Sequence, residues 1–180
     1  DTDGMNWPSQ STRVSVVDIN SFEFEKTITV SLNPNYIYSD SDGDVYVICM
    51  SDYSDDKSYI VQRIDAKTDE VKTEGIKAYK MTVADDIAYI MFNDYYANEV
   101  KYYKYDLKNE KLLSDNFITD GTVVSSPNGI GVDPVTGDIY VGKSNKKNNG
   151  DVYVFSSEGK LKSQFETLPY PADFVFMTNK

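Results

Sequence analysis

Aromatic and amide side chains stand in the polar stretches of this 180-residue sequence, where they could bind a ligand. The stretches 3–10, 51–57 and 93–99 contain four aromatic candidates: Trp7, Tyr53, Tyr95 and Tyr96. Shorter connections contribute five more: Asn33, Asn35, Tyr79, Asn128 and Tyr170. Aromatic rings stack on apolar ligand faces, and amides both donate and accept hydrogen bonds. These residue types favour recognition of a carbohydrate or a protein, and the alternative is that they pack between sheets and stabilise turns.

The sequence gives less support to a catalytic function than to a binding function. The absence of histidine removes the Ser-His-Asp triad and the usual proton shuttle near neutral pH. Ser125, Ser126 and Ser163 have no general base next to them in the sequence, and no G-x-S-x-G motif is present. We therefore predict no catalytic residue and no cofactor, and we favour a protein without enzymatic activity. A hydrolase or lyase that holds a metal ion with carboxylates and amides is the alternative.

The stretch "DSDGD" at residues 40–44 resembles the beginning of a calcium-binding loop, because its alternate carboxylates offer hard oxygen ligands. The twelfth position of such a loop would be Ser51, where a calcium loop has glutamate. Gly43 instead suits a tight turn that requires a positive φ. The sequence therefore predicts a hairpin turn here and no metal site.

Charge and hydropathy exclude several classes of partner. The net charge of −11 and the isoelectric point near 4.4 oppose binding to a phosphate backbone, so we expect no nucleic-acid partner. Cys49 is the single cysteine, which rules out an intrachain disulfide. No run of 18 or more apolar residues occurs, and we expect no insertion into a membrane.

Alternation of apolar and polar residues with a period of two indicates that the chain is all-β. Eight stretches show it: "RVSVVDI" from Arg13, "KTITVSL" from Lys26, "DVYVICM" from Asp44, "SYIVQRI" from Ser58, "IAYIMF" from Ile87, "VKYYKYDL" from Val100, "GDIYVGK" from Gly137 and "DVYVFS" from Asp151. Clusters of Asp, Asn, Ser and Gly separate them, as expected of hairpin connections.

Two markers repeat together along the chain. Strands centred on Tyr46, Tyr89 and Tyr140 are 43 and 51 residues apart. The turn in "IDAKTDEV" (64–71) recurs in "VDINSFEF" (17–24), "YDLKNEKL" (105–112) and "FSSEGKL" (155–161). A period of about 40 to 50 residues is typical of the four-stranded blade of a β-propeller. The sequence therefore predicts a β-propeller in which these recurrent segments are the turns between the third and fourth strands.

We label the strands of a blade a to d from the innermost outwards. The prediction is a single propeller fragment of about three and three-quarter blades: strands c and d of a partial blade at 13–32, complete blades at about 36–73, 81–115 and 129–166, and an inner strand a at 172–177. We expect these blades to belong to a larger ring of about seven. Unpaired strand edges and uncovered blade faces further predict association with the missing blades or with a second copy.

In a propeller blade, the two strands that a connection joins decide the edge of the sheet at which it emerges. The b–c and d–a connections emerge together at one edge of each blade, which we call the loop face, and the a–b and c–d turns emerge at the other edge. All nine candidate binding residues fall on the loop face. Variable loops on a rigid scaffold are the usual place for binding, so this face is the predicted ligand site.

Three segments carry a resemblance to a known family. "DPVTGDIYVGKS", "GDVYVFSSEGKL" and the terminal "PYPADFVFM" resemble the YncE-like, or YVTN-type, seven-bladed β-propellers of bacteria, in particular secreted or lipid-anchored surface propellers. The resemblance extends from about Val14 to Met177. It implies an extracytoplasmic location (periplasmic, secreted or at the cell surface) and no particular reaction.

The expected function is that of a non-enzymatic extracytoplasmic binding or scaffold propeller, with a carbohydrate or protein ligand at the loop face. Two alternatives stay open at this point. One is a metal-dependent hydrolase or lyase of the propeller type, and the other is a structural surface protein without a small-molecule site.

Overall fold

The computed structural model describes residues 11–51, 58–94, 99–145 and 147–177, and every regular element in them is a β-strand. The described part of the chain contains no helix that is long and apolar enough to cross a membrane. The chain divides into two compact units, residues 1–78 and 79–180.

The first unit contains a two-stranded hairpin and a four-stranded antiparallel sheet with strand order β3-β4-β5-β6. Its described strands are β1 (Arg13–Val17), β2 (Phe24–Thr29), β3 (Pro34–Ser39), β4 (Val45–Cys49), β5 (Ile60–Ile64) and β6 (Val71–Lys77). The sheet occupies the region predicted as a complete blade over 36–73, and the hairpin occupies the predicted partial blade at 13–32.

The second unit contains two four-stranded antiparallel sheets, β7-β8-β9-β10 and β11-β12-β13-β14. Its described strands are β7 (Lys80–Ala84), β8 (Ile87–Asp94), β9 (Glu99–Asp106), β10 (Lys111–Ser114), β11 (Pro127–Val132), β12 (Ile139–Asn145), β13 (Asn148–Phe155) and β14 (Leu161–Thr167). These sheets occupy the regions predicted as blades over 81–115 and 129–166.

Residues 172–177 pair with no described strand, and their assignment as the inner strand of a further blade stays a prediction. The segment lies on the face of β11 and β12, where a Cβ atom at Gly131 would come within 2.7 Å of the Cβ atom of Phe174. A segment that crosses the face of a sheet meets side chains, so its peptide groups do not form a ladder with the sheet edge.

Each sheet has a buried second strand, which explains the continuous apolar runs in the sequence. In β4 the residues from Tyr46 to Cys49 are almost fully buried, and in β12 the same holds for Ile139 and Val141. A strand that is covered on both faces reads as an apolar run without strict alternation. The alternating pattern is instead found in strands such as β1 and β3, which are half-buried.

The recurrent turn has one chemical cause. The Asp65 carboxylate accepts hydrogen bonds from the backbone N–H groups of Lys67 (2.9 Å) and Thr68 (2.8 Å). Asp18 accepts equivalent bonds from Asn20 and Ser21. These donors stabilise the charged form, and they hold the pKa of both carboxyl groups below the ordinary value. The repeated aspartate is therefore a turn-forming residue.

The core of each unit lies between stacked sheets. In the first unit, Val14, Val16 and Ile28 of the hairpin pack on Val47 and Ile64 of the four-stranded sheet. In the second unit the two sheets share a core around the ring of Phe117, which makes edge contacts with three other buried rings: Tyr89, Tyr102 and Phe155. Aromatic pairs at these distances add to the stabilisation from burial.

Candidate functional site: the loop face

In the first unit, backbone hydrogen bonds join the b–c and d–a connections at one edge of the sheet. The N–H of Met50, at the end of β4, donates to the carbonyl oxygen of Asn33 at 2.9 Å. The N–H of Ser51 donates to the carbonyl oxygen of Leu32 at 3.0 Å. The start of the b–c loop and the connection that leads into β3 therefore lie side by side, as expected for the loop face.

The second unit has the same arrangement. The N–H of Ser144, at the end of β12, donates to the carbonyl oxygen of Ser126 at 3.1 Å. The N–H of Gly150 donates to the carbonyl oxygen of Leu168 at 3.4 Å. The connections on either side of the third complete sheet are thus bonded to the ends of β12 and β13 that flank its b–c turn.

The a–b and c–d turns are joined at the opposite edge. The Asp44 carboxylate accepts a hydrogen bond from the N–H of Ala66 at 2.9 Å and also forms an ion pair with Arg63. The N–H of Leu107 donates to the carbonyl oxygen of Asp86 at 2.9 Å. The carboxylates at this edge already have backbone or cationic partners, so they have less capacity for a ligand.

Asn33 and Asn35 have different environments in the first unit. Asn33 adopts φ = 60°, and its amide donates to the carbonyl oxygen of Ser51 at 3.3 Å. These bonds give Asn33 a role in shaping the connection. Asn35 is exposed, and its amide makes no hydrogen bond to any residue in the described ranges. Its amide is therefore available to a ligand.

Asn35 borders a cleft of about 210 Å³ in the first unit. The cleft is lined by Arg13, Val14, Pro34, Asn35, Tyr36, Ile37 and Val47. Arg13 is the single charged residue among them. The lining thus combines apolar residues with one arginine and one asparagine.

In the second unit, the predicted residues lie near the terminal segment. The N–H of Tyr79 donates to the carbonyl oxygen of Met91 at 2.9 Å, and its half-buried ring packs on the core. The Asn128 amide donates to the carbonyl oxygen of Pro171 at 3.4 Å. Tyr170 adopts φ = 60° and its side chain is 55% exposed. Tyr170 and Asn128 are therefore brought to the same edge of one sheet.

The terminal segment is held by residues that the sequence did not single out. The ammonium group of Lys80 donates to the carbonyl oxygen of Ala172 at 2.7 Å and to the Asp173 carboxylate at 2.5 Å. Lys80 is buried, whereas Asp173 is largely exposed. The ring of Tyr140 contacts those of Phe174 and Phe176, with centroids 5.8 and 5.1 Å away.

Three glycines allow the segment to approach the sheet closely. A Cβ atom at Gly129 would lie 2.5 Å from the carbonyl oxygen of Ala172, and one at Gly142 would lie 2.4 Å from that of Pro171. A Cβ atom at Gly131 would also lie close to the segment, 2.7 Å from the Cβ atom of Phe174. The spacing "GIG" in β11 was the available signal for this contact, since glycine in a strand often marks the close approach of another backbone.

Four of the nine predicted residues, Trp7, Tyr53, Tyr95 and Tyr96, lie outside the described residues, and their roles stay predictions.

No group of three or more carboxylate or thiol side chains in the described ranges is arranged to hold a metal ion. At "DSDGD" the Asp40 carboxylate accepts bonds from the N–H groups of Asp42 and Asp44, both at 3.0 Å, and Gly43 has φ = 88°. That geometry is a hairpin turn.

Comparison with solved structures identifies the architecture. The chain is similar to the Dos1 propeller, with a TM-score of 0.63 and 11% identity over 90% of this chain and 44% of that chain. It is also similar to hydrazine synthase of Kuenenia stuttgartiensis, with a TM-score of 0.63 and 15% identity over 87% of this chain and 44% of that chain. The fold is that of a β-propeller. The meanders β3–β6, β7–β10 and β11–β14 are its blades.

These similarities concern the fold alone, because the sequence identities are low. The chain spans less than half the length of each of these two structures. No protein-family model and no curated protein sequence matches the chain. The predicted all-β propeller architecture is confirmed.

Proposed function

We propose that this protein is a non-enzymatic, extracytoplasmic binding or scaffold propeller of the YncE-like type, with its ligand at the loop face. The observation that carries the proposal is the pairing of b–c and d–a connections at one edge of the blades. That edge presents the exposed ring of Tyr170 and the amide of Asn35. At the opposite edge, the turn carboxylates bond to their own backbone, as Asp65 does.

Carbohydrates and proteins suit this chemistry better than ions or nucleic acids. Flat rings and amides recognise neutral polar surfaces, while the net charge of −11 repels polyanions. The loops differ in sequence from blade to blade, whereas the c–d turns repeat. A rigid scaffold with variable loops is the common arrangement of binding proteins.

A glycan array and a pull-down from the surface proteins of the source cells test the proposal together. We expect Tyr95→Ala, Tyr96→Ala and Tyr170→Ala to reduce the captured signal by about tenfold, while the fold is retained by circular dichroism. Val135→Ala is the matched control, since Val135 is largely exposed in an a–b turn on the other edge. Unchanged binding in all three tyrosine variants would remove the loop face as the site.

Two further measurements separate the alternatives. A metal-dependent hydrolase or lyase would gain thermal stability with Ca²⁺, Mg²⁺ or Zn²⁺, and we expect no shift in Tm with any of them. A structural surface protein would show no ligand in either screen. Fractionation of the source cells tests the location, and recovery of the protein in the cytoplasm would contradict it.

A further inference from the structure

A three-residue motif recurs at the loop-face ends of β3 and β11. It comprises residues 33–35 (Asn-Pro-Asn) and residues 126–128 (Ser-Pro-Asn). The carbonyl oxygen of its first residue accepts a hydrogen bond from the N–H of Met50 in one case and of Ser144 in the other. Met50 and Ser144 each lie four residues after the repeated tyrosine of the second strand. The two motifs therefore hold equivalent positions in the first and third complete blades.

The last residue of each motif is the extra residue of a β-bulge. The register of the β3–β4 ladder shifts around Asn35, which has no opposite residue. The β11–β12 ladder shifts around Asn128 in the same way. The β7–β8 ladder is regular from Lys80 to Ala84, so the second complete blade lacks this bulge. A bulge changes the direction of a side chain and is common beside functional sites.

The residue before each proline has an unfavourable backbone conformation. The angle φ is 60° in Asn33 and 55° in Ser126, although a following proline restricts its predecessor to extended conformations. At the opposite edge, Asp69 and Glu110 also have positive φ, but they lie in hairpin turns where that conformation is ordinary. Strain that no hairpin requires is concentrated at functional sites. Its recurrence before both bulges favours a functional role for them.

Each bulge amide has hydrogen-bonding groups that the described part of the chain does not use. The Asn35 amide makes no hydrogen bond there. The Asn128 amide makes one, the 3.4 Å bond to the carbonyl oxygen of Pro171, and its oxygen and second N–H keep their capacity. Asn128 is half-exposed even though β7 and β8 pack against β11 and residues 171–174 approach its glycines. Both amides can therefore donate one hydrogen bond and accept another.

The exposed side chains near Asn128 are small and polar, apart from one ring. Ser125 and Ser126 are exposed, and so is Tyr170, which precedes the proline that accepts the Asn128 bond. A sugar has hydroxyl groups at its rim and C–H groups on its faces, so it matches hydroxyls, an amide and an aromatic ring. The centre of a protein interface instead needs large anchors in a desolvated pocket. These neighbours favour a carbohydrate over a protein.

We propose that Asn35 and Asn128 form the centres of two equivalent carbohydrate subsites, one in each unit, for neutral sugars with adjacent free hydroxyl groups. In each subsite the amide N–H donates to one hydroxyl oxygen, and the amide oxygen accepts from the neighbouring hydroxyl. Acidic polysaccharides are disfavoured by the net charge of −11. Both subsites lie at the loop face, so their assignment rests on the proposed function and adds the ligand class and the number of sites.

Proton–nitrogen correlation NMR of the full chain tests the subsites directly, because the side-chain NH₂ group of each asparagine gives its own signals. The probes are four neutral oligosaccharides: cellohexaose, maltohexaose, mannohexaose and xylohexaose. We expect at least one of them to shift the NH₂ signals of Asn35 and Asn128 saturably, with a Kd below about 5 mM. The NH₂ signals of Asn20 should not move, since Asn20 is exposed in a turn at the opposite edge.

Substitutions separate the two subsites. Asn35→Ala and Asn128→Ala should each raise the Kd measured from the backbone N–H of the altered residue about tenfold or more, because two hydrogen bonds are lost. Each should leave the Kd at the other subsite within about twofold, since distant sites behave independently. Tyr170→Ala should weaken only the Asn128 subsite, and Asn20→Ala is the matched control that should alter neither. Asparagine→aspartate at either bulge keeps the shape, removes the donors and should also weaken binding if an alanine variant does not fold.

Three outcomes would overturn the subsites. One is the absence of saturable shifts at both asparagines with all four probes at up to about 20 mM. Another is binding that moves other loop-face signals and keeps its Kd in both alanine variants, in which case the loop-face function stands and the amide subsites fall. The third is a protein captured in the pull-down whose binding requires both asparagines, which would assign the amides to a protein ligand. Shifts confined to the opposite edge would contradict the proposed function as well.

Discussion

The glycine contacts beneath the terminal segment predict that a single methyl group will release that segment. In Gly142→Ala the new Cβ atom would lie 2.4 Å from the carbonyl oxygen of Pro171 and 3.0 Å from two carbon atoms of its ring. A backbone oxygen cannot rotate away from the clash as a flexible side chain would. Either β12 must separate from its neighbouring strands, or residues 171–177 must detach from the sheet.

The structure indicates that the segment leaves. Its two ring contacts with Tyr140 contribute about 0.5–1.5 kcal/mol each. The ion pair of Lys80 with the largely exposed Asp173 adds less than about 1 kcal/mol. The docking free energy is therefore about 2–3 kcal/mol, comparable with the cost of overpacking, which is about 1–3 kcal/mol. Opening β12 would instead expose the fully buried Val141 and Ile139.

Chymotrypsin cleavage at Phe174 and Phe176, followed by mass spectrometry, measures the release. A docking free energy of about 2 kcal/mol corresponds to about 3% of molecules with the segment free, so full release raises the cleavage rate about 30-fold. Gly75→Ala is the matched control, because nothing lies within 4 Å of its added Cβ atom. Cleavage of the control should match that of the parent protein.

Two results would refute this reasoning. Equal cleavage rates for Gly142→Ala and the parent protein would mean that the segment does not lie on the glycines in solution. Loss of the cooperative urea transition in Gly142→Ala would mean that the clash unfolds the sheet instead of detaching the segment. Gly129→Ala, whose Cβ atom meets the carbonyl oxygen of Ala172 at 2.5 Å, should behave as Gly142→Ala does.

Three further predictions concern stability and reactivity. Phe155→Ala should lower the free energy of unfolding in urea by about 3–5 kcal/mol, because the ring is fully buried, while Val135→Ala should change it by less than about 0.5 kcal/mol. Burial raises the pKa of the Cys49 thiol to about 11, so the thiol should react with Ellman's reagent at pH 8 only after unfolding, and rapid reaction of the native protein would contradict the buried position. Hydrogen bonds from the N–H groups of Thr68 and Lys67 lower the pKa of Asp65, so its stabilisation is present above the unfolded pKa of about 3.9 and is lost as the pH falls through the folded pKa. The difference in Tm between Asp65→Asn and the parent protein should therefore shrink between pH 6 and pH 3, and a constant difference would argue against that cause.

The strands and turns could be predicted from sequence because their causes are local. The turn at Asp65 needs one carboxylate and two N–H groups within three residues. The buried strand β4 needs only a short apolar run between turn residues. The apolar run recurs in every complete blade, and the turn recurs with Ser156 in place of aspartate in the third, and this recurrence identified the propeller.

The candidate site was less predictable because a residue type does not fix its partners. Asn33 and Asn35 are two residues apart, yet the amide of Asn33 bonds to Ser51 while Asn35 is exposed and lines the cleft. Tyr79 packs half-buried on the core, and Tyr170 is exposed. A loop position alone cannot distinguish a turn-forming side chain from one that is available to a ligand.

The sequence by itself determined the period of the repeat, the order of the strands and the turn chemistry, because these depend on residues that are neighbours along the chain. Only the tertiary structure decided that Lys80 is buried beneath residues 171–177, and that Ile37 is exposed while Ile130 is not. These properties depend on which sheet or segment covers a given face. Such contacts join residues that are tens of positions apart, and neither alternation nor spacing encodes them.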